Sequence, residues 1–105
     1  MPAQILDGNK IAAQVRAEVA EGVARLKEKR GITPGLSVIL VGENPASHVY
    51  VRNKARAAQE VGINAATIAL PKEASEAEII DKVQELNRDP QCHGILVQLP
   101  LPSHI

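Results

Sequence analysis

Three side chains that could do chemistry recur at helical spacing in the middle of the chain. Ser47, Tyr50 and Lys54 stand at positions i, i+3 and i+7, so they share one face if this segment is helical. That face then carries a hydroxyl, the only aromatic ring in the 105 residues and a primary amine. An amine beside a flat ring suits proton transfer at, or water addition to, a small conjugated molecule.

A fourth side chain, Gln98, is a polar residue inside an apolar run near the end of the chain. The run predicts a buried strand, and a buried amide needs a hydrogen-bond partner. Because the helix of Lys54 begins at the sheet edge where this strand ends, we expect Gln98 to reach the Lys54 amine. An amine that is held by an amide and partly shielded from water can exchange protons near neutral pH.

A simpler interpretation of the same face stays open at this point. Tyr50 could pack partly into the core while the Lys54 stem follows the surface and its amine extends into water, as in most helical lysines. Ser47 lacks the G-x-S-x-G pattern of a hydrolase nucleophile, so we expect its hydroxyl to bond within the first helical turn.

The elements that must position these residues follow from hydrophobic periodicity and from capping residues. Helices are expected at residues 9–30, 45–61 and 76–87, and strands at residues 36–41, 63–70 and 94–99. This order predicts a three-layer α/β domain, with a parallel sheet and helices on both faces. Ile5 and its neighbours are a candidate for a short additional edge strand. Ligands of such sheets bind beyond the carboxyl ends of the strands, here residues 42–50 and 98–102.

Composition excludes several classes of protein. The 12 basic and 12 acidic residues cancel, and no run of like charge occurs, which argues against nucleic-acid binding. The longest apolar run, residues 38–41, is far shorter than the ~20 residues of a membrane span, and the first residues lack the features of a signal peptide. The single Cys92 fits a reducing compartment. We therefore expect a cytoplasmic protein.

Motifs for cofactors are missing from the sequence. Neither G-x-G-x-x-G nor G-x-x-x-x-G-K-[ST] occurs, so no nucleotide site is expected in this chain. The only soft ligand types match no zinc spacing, and we expect no metal; they are His48, Cys92, His93 and His104. Adjacent Cys92 and His93 point in different directions, so we expect a small buried thiol at the start of a strand and not a catalytic pair.

Three blocks of sequence resemble the bifunctional methylenetetrahydrofolate dehydrogenase/methenyltetrahydrofolate cyclohydrolase family. Residues 5–12 are similar to its opening segment, and residues 41–63 to its catalytic helix. Residues 78–102, which end in Gly-Ile-Leu-Val-Gln-Leu-Pro-Leu-Pro, are similar to the family signature and are the most specific block. The three blocks span nearly the whole chain.

The resemblance implies an enzyme of one-carbon metabolism that oxidises 5,10-methylenetetrahydrofolate with NADP and hydrolyses the methenyl product to 10-formyltetrahydrofolate, a reaction sequence that serves purine biosynthesis. It implies that Lys54 is the catalytic amine, that Gln98 tunes it and that Tyr50 stacks on the aminobenzoyl ring of the folate. It further implies a substrate-binding role for Ser47 and a pocket lined by Val97, Gln98, Leu99 and Pro100. Tetrahydrofolate derivatives are the expected ligands, and a homodimer is the expected assembly.

The length of the chain is where it departs from the family. Family members continue with an acidic residue that holds the pterin, a Rossmann domain for NADP and a final helix. Residues 1–105 are therefore expected to be a folate-binding catalytic domain cut off before the NADP-binding domain. The competing expectation is a non-catalytic α/β binding or interaction module derived from that domain.

Overall fold

The computed structural model describes residues 2–105, and its helices and strands follow the predicted order. They are α1 (Gly8–Arg30), β1 (Gly35–Val41), α2 (Pro45–Glu60), β2 (Asn64–Leu70), α3 (Glu76–Asn87) and β3 (Gly94–Val97). The candidate edge strand at Ile5 is wrong. Ile5 is 92% exposed and belongs to no strand, because Asp7 caps α1 immediately afterwards and commits the chain to a helix.

The three strands form one parallel sheet in the order β2-β1-β3. β1 lies in the centre and is hydrogen-bonded on both sides, and six of its seven residues are buried. Its nearly continuous run of Val, Ile and Leu is what a strand needs when both of its faces are covered. α2 connects β1 to β2, and α3 connects β2 to β3.

Helices cover both faces of the sheet, so the predicted three-layer architecture is confirmed. On one face Val51 of α2 packs against Val38 and Leu40 of β1. On the other face lies a second cluster, which joins β1 to α3 and to the segment between β2 and α3: Ile39, Val41, Ala74, Ile79 and Leu86. The alternation of these residues along β1 follows the two-residue period of a strand.

The prediction that β3 is buried is wrong for the sheet formed by the described residues. β3 is four residues long, ends at Val97 and is only half-buried, because it has a single neighbour, β1. The backbone N–H of Gln98 still donates to the Ile39 carbonyl at 2.9 Å, which continues the ladder by one residue. Gln98 is therefore a half-buried side chain at the end of an edge strand.

The long helix α1 is present as predicted, but it packs through a small part of its apolar stripe. Val23 is the only residue of α1 that is buried, and it lies close to Gly62 at the turn between α2 and β2. The other large apolar residues of the stripe remain 40–50% exposed: Ile11, Val15, Val19 and Leu26. None of the helices in residues 2–105 is long and apolar enough to cross a membrane.

The start of β1 depends on a very close backbone approach. A Cβ on Gly35 would lie 2.0 Å from the carbonyl oxygen of Gln91. Gly35 cannot shift easily, since its N–H donates to Nδ1 of His93 at 2.9 Å and its carbonyl accepts from the His93 N–H at 2.8 Å. These contacts join the beginning of β1 to the segment that leads into β3.

We expect Gly35→Ala to lower the free energy of unfolding by at least about 2 kcal/mol, because the new methyl group overlaps backbone that is held by two hydrogen bonds. Urea unfolding of the complete protein, followed by circular dichroism, measures the change. Gly22→Ala is the matched control: nothing lies within 4 Å of its added Cβ, so we expect a gain of up to about 1 kcal/mol. Equal unfolding midpoints in the two variants would contradict the steric argument.

Candidate functional site

The turn between β1 and α2 sets the starting point of the helix that carries the site. Gly42 has φ of 86°, a conformation that favours glycine, and its N–H donates to the Leu70 carbonyl at 3.0 Å. Asn44 then caps α2 by accepting from the Ser47 N–H at 3.2 Å, and Pro45 occupies the first helical turn. The helix therefore starts at the carboxyl end of β1, as the sequence predicts.

The structure brings Lys54 and Gln98 together. Nζ of Lys54 donates to Oε1 of Gln98 at 2.6 Å, although the two residues are 44 positions apart in the sequence. No carboxylate oxygen lies within 4.0 Å of the Lys54 amine among the described residues. The amide of Gln98 is thus the polar group that fixes the direction of this amine.

The carbonyl oxygen of Leu99 determines how the Gln98 amide is oriented. Nε2 of Gln98 donates to that oxygen at 2.9 Å, so Oε1 is left to face Lys54. The Ser47 hydroxyl donates to the same oxygen at 3.4 Å. The expectation that Ser47 bonds within its own helical turn is wrong, because the segment after β3 passes close enough to supply a better-placed acceptor.

Ser47 is 1% exposed, so its hydroxyl lies beneath the site and not in the solvent. Helical spacing identified Ser47 as a site residue and the family resemblance added Leu99, but neither predicted the bond between them. No side-chain pattern could have done so, since the acceptor is a backbone carbonyl and its position depends on the path of the chain after β3.

Tyr50 lies one helical turn before Lys54 and is 56% exposed. Its ring is therefore accessible for stacking. The simpler interpretation of this face is only partly right. Tyr50 is partly buried and Lys54 is exposed, as that interpretation requires, but the Lys54 amine bonds to Gln98 and does not simply extend into water. The expected shielding of Lys54 from water is not provided by the described residues.

The remaining pocket residues take different places. Val97 packs at the edge of the cluster on the α3 side of the sheet, whereas its neighbour Gln98 faces α2. Leu99 has an exposed side chain and contributes its carbonyl oxygen. Pro100 follows a cis peptide bond and borders a small surface cavity of about 200 Å³ with Gly42. Of these four residues, only Gln98 and Leu99 form hydrogen bonds with α2 or with each other.

The starts of α2 and α3 are poorly suited to a nucleotide phosphate. At the start of α2 the Ser47 N–H is occupied by Asn44, Pro45 has no N–H, and Glu43 adds a negative charge nearby. At the start of α3 the Glu78 N–H is occupied by Ser75, and the first turn holds two carboxylates. Each of these two helix starts thus has an occupied backbone donor and negative charge nearby, both of which disfavour a bound phosphate.

Within residues 2–105, no group of three or more His, Cys, Asp or Glu side chains is placed to hold a metal ion. Each histidine ring instead forms a hydrogen bond with a backbone group. His48 bonds to the Gly42 carbonyl at 3.2 Å, His93 to the Gly35 N–H at 2.9 Å and His104 to the Ala74 carbonyl at 2.8 Å. The Cys92 thiol is only half-buried, so the expectation of a buried thiol is partly wrong; it lies 3.4 Å from the Ser37 hydroxyl.

Comparison with known proteins gives consistent matches over the whole domain. The bifunctional protein FolD of Moorella thermoacetica is 65% identical over 105 residues, which is all of this chain and 37% of that protein. The crystal structure of the bifunctional methylenetetrahydrofolate dehydrogenase/cyclohydrolase from Campylobacter jejuni superimposes with a TM-score of 0.93 at 45% identity, covering 97% of this chain and 36% of that one.

A further solved relative was crystallised with ligands. The Trypanosoma brucei methylenetetrahydrofolate dehydrogenase-cyclohydrolase, complexed with NADP and an inhibitor, matches with a TM-score of 0.90 and 39% identity, over 100% of this chain and 36% of that one. The chain thus spans little more than a third of the length of these relatives. The model of the tetrahydrofolate dehydrogenase/cyclohydrolase catalytic domain matches residues 6–105, and the chain belongs to that family.

Proposed function

We propose that residues 1–105 form the folate-binding catalytic domain of a methylenetetrahydrofolate dehydrogenase/methenyltetrahydrofolate cyclohydrolase. The observation that carries the proposal is the 2.6 Å hydrogen bond between Lys54 and Gln98 at the carboxyl edge of the sheet. Family membership over residues 6–105 supports the same reaction class. The domain then supplies the folate site and the amine for proton transfer in one-carbon metabolism.

The catalytic set is Lys54, Gln98 and Tyr50, each with a separate task. Lys54 transfers protons, and Gln98 fixes the position of its amine through Oε1. Tyr50, which is more than half exposed, stacks on the aminobenzoyl ring of the folate and keeps water from one side of the site. A bound folate supplies the remaining cover over Lys54, which the described residues leave exposed.

The other proposed substrate-binding residues hold the catalytic set in position. Ser47 and Gln98 share the Leu99 carbonyl as acceptor, so Ser47 holds in place the group that orients the amide. Val97, Leu99 and Pro100 form the border of the pocket beyond β3. Val97 acts through the packing of the strand end, because it faces the α3 side of the sheet.

The hydrolysis requires proton movements that one lysine can perform. Water adds to the methenyl carbon, and the Lys54 amine accepts a proton as the carbon–oxygen bond forms. The bond from that carbon to N5 then breaks, the resulting ammonium returns the proton to N5, and the second proton of the former water leaves to solvent. The products are 10-formyltetrahydrofolate and one net proton. A group that alternates as base and acid within one site meets this need.

The oxidation needs NADP, which we place outside residues 1–105. Two observations support this placement: the starts of α2 and α3 are poorly suited to its phosphates, and the relative from Trypanosoma brucei that was crystallised with NADP is almost three times as long. We further propose a cytoplasmic homodimer that supplies one-carbon units for purine biosynthesis. These proposals rest on the family resemblance.

A non-catalytic binding module derived from the domain is the competing function, and the contact between Lys54 and Gln98 argues against it.

We expect Lys54→Met to lower cyclohydrolase turnover by a factor of at least about 10², because the variant keeps an apolar stem and removes the amine that bonds to Gln98. Lys54→Arg should not restore activity, since a guanidinium stays protonated and cannot alternate as base and acid. Decay of the methenyltetrahydrofolate absorbance at saturating folate measures turnover in the complete protein.

The matched control for Lys54 is Lys29→Met, which removes an exposed lysine from the last turn of α1. It should leave turnover within about twofold of the wild type. If Lys54→Met keeps more than about a tenth of the wild-type rate, Lys54 is a solvated helix residue and the binding-module interpretation is the better one.

We expect Gln98→Ala to move the pH profile of turnover as well as to lower its rate. The alanine variant removes the acceptor that stabilises the protonated amine, so the profile should move towards lower pH. Gln98→Glu places a carboxylate against the same amine and should move it towards higher pH. Rates measured from pH 6 to 9 at saturating folate test both directions, and unchanged profiles in both variants would show that Gln98 does not control the amine.

We expect a smaller effect from Ser47→Ala, about twofold to tenfold in turnover, because Leu99 keeps its bond to Gln98 but loses its second donor. The pH profile should change in the same direction as in Gln98→Ala. Ser103→Ala, at an exposed position, is the control and should change neither quantity. A fall in stability with an unchanged pH profile would assign Ser47 a purely structural role.

A further inference from the structure

The chain after β3 crosses the carboxyl edge of the sheet from the α2 side to the α3 side, and we call residues 98–105 the crossing segment. Near its beginning the Leu99 carbonyl accepts from the Ser47 hydroxyl of α2. Near its end Nε2 of His104 lies 2.8 Å from the Ala74 carbonyl, in the connection between β2 and α3. The crossing segment is thus held by a hydrogen bond on each side of the sheet.

The bond between His104 and Ala74 provides a donor for a buried backbone group. A carbonyl oxygen only accepts, so Nε2 of His104 carries the hydrogen and donates. Ala74 is 1% exposed, and within residues 2–105 the His104 ring is the one group that donates to its carbonyl. The N–H of Ala74 donates to the Pro71 carbonyl at 2.9 Å, so the acceptor itself is fixed. Because a buried carbonyl without a donor is costly, this bond favours one position of His104.

The middle of the crossing segment is stiff. Pro100 and Pro102 each fix their own φ, and each restricts the residue before it, which is Leu99 and then Leu101. The side chains of Leu101 and Ile105 also pack against the cluster on the α3 side. Apolar contacts have little directional preference, so the hydrogen bonds at the two ends define the path. A shift at one end is passed along the segment, with little freedom in between to absorb it.

We propose that His104 is a positioning residue for Lys54. Its bond to Ala74 fixes the path of the crossing segment, and that path places the Leu99 carbonyl. The Leu99 carbonyl orients the Gln98 amide, which holds the amine. His104 bonds to neither Lys54 nor Gln98 and acts through the main chain. The inference rests on the proposed function, because it assumes that Lys54 transfers protons during the hydrolysis.

The test measures cyclohydrolase turnover of the complete protein from pH 6 to 9 at saturating methenyltetrahydrofolate. His104→Ala should lower turnover about threefold to tenfold, the range expected when one hydrogen bond that favours the assembled site is lost. The pH profile should move towards lower pH, as in Gln98→Ala but by less, because the amide is less often oriented to accept from Lys54. Circular dichroism should show an unchanged fold, since the His104 side chain lies at the surface.

Two amide variants separate the bond from the ring. Glutamine carries its amide nitrogen about as far from Cβ as Nε2 lies in histidine, so His104→Gln should keep the pH profile and hold turnover within about twofold of the wild type. The amide of asparagine falls short of that distance, so His104→Asn should behave as His104→Ala does. If His104→Ala does not fold, His104→Asn takes its place in every comparison.

A double variant tests whether His104 acts through Gln98. If it does, replacing His104 should matter only while Gln98 is present. His104→Ala combined with Gln98→Ala should therefore turn over within about twofold of Gln98→Ala alone, and its pH profile should be the same.

Two controls exclude other causes. Ser103→Ala changes an exposed neighbour in the crossing segment and should change neither turnover nor the pH profile. His93→Ala removes a comparable bond between a histidine ring and the backbone at the opposite edge of the sheet. It should lower the midpoint of urea unfolding without moving the pH profile, which shows that lost stability alone does not move it.

The possible failures can be told apart. Three results would overturn the inference while the proposed function stands: an unmoved pH profile in His104→Ala, equal losses in His104→Gln and His104→Ala, or losses that multiply in the double variant. Multiplied losses would mean that His104 supports the fold independently of Gln98. If Lys54→Met keeps more than about a tenth of the wild-type rate, the proposed function fails and this inference fails with it.

Discussion

The parallel pairing of β1 with a neighbour on each side determines where every other element of this domain lies. Because the strands run in the same direction, α2 and α3 must return the chain across the faces of the sheet. α2 then starts where β1 ends, and the segment after β3 leaves the sheet at the same edge. The site is a consequence of this geometry, since its two halves come from these two segments.

At that edge, one backbone oxygen organises the polar groups. The Leu99 carbonyl accepts from both Gln98 and Ser47, and this leaves only one orientation for the Gln98 amide. A side-chain amide free to rotate could present either its oxygen or its nitrogen to Lys54, and the nitrogen would repel the protonated amine. The direction of the amine is therefore determined through two successive hydrogen bonds, from Lys54 to Gln98 and from Gln98 to the Leu99 carbonyl, and so by the path of the main chain after β3.

The order of the elements and the meeting of Lys54 with Gln98 were predictable from the sequence, because periodicity, caps and the rules of parallel sheets contain that information. Asn44, Pro45 and Ser75 marked helix starts that the structure confirms. The exposure of β3 was not predictable, since an apolar run does not reveal whether a strand has one neighbour or two. The bond from Ser47 to Leu99 depends on tertiary geometry alone. Nothing in the sequence indicated that Gly35 packs so closely against the Gln91 carbonyl that no side chain fits there.

The position of β3 at the edge of the described sheet makes the site sensitive to local opening. β3 has four residues and one neighbour, and the last ladder bond before the site joins Gln98 N–H to the Ile39 carbonyl. Short edge strands open with a lower free energy than central ones, so this amide should exchange with solvent faster than those of β1. Each such opening separates Gln98 from Lys54 while the helix face with Tyr50 and Lys54 stays formed. The lifetime of the assembled pair is thus limited by the fraying of one strand end, on a timescale independent of global unfolding.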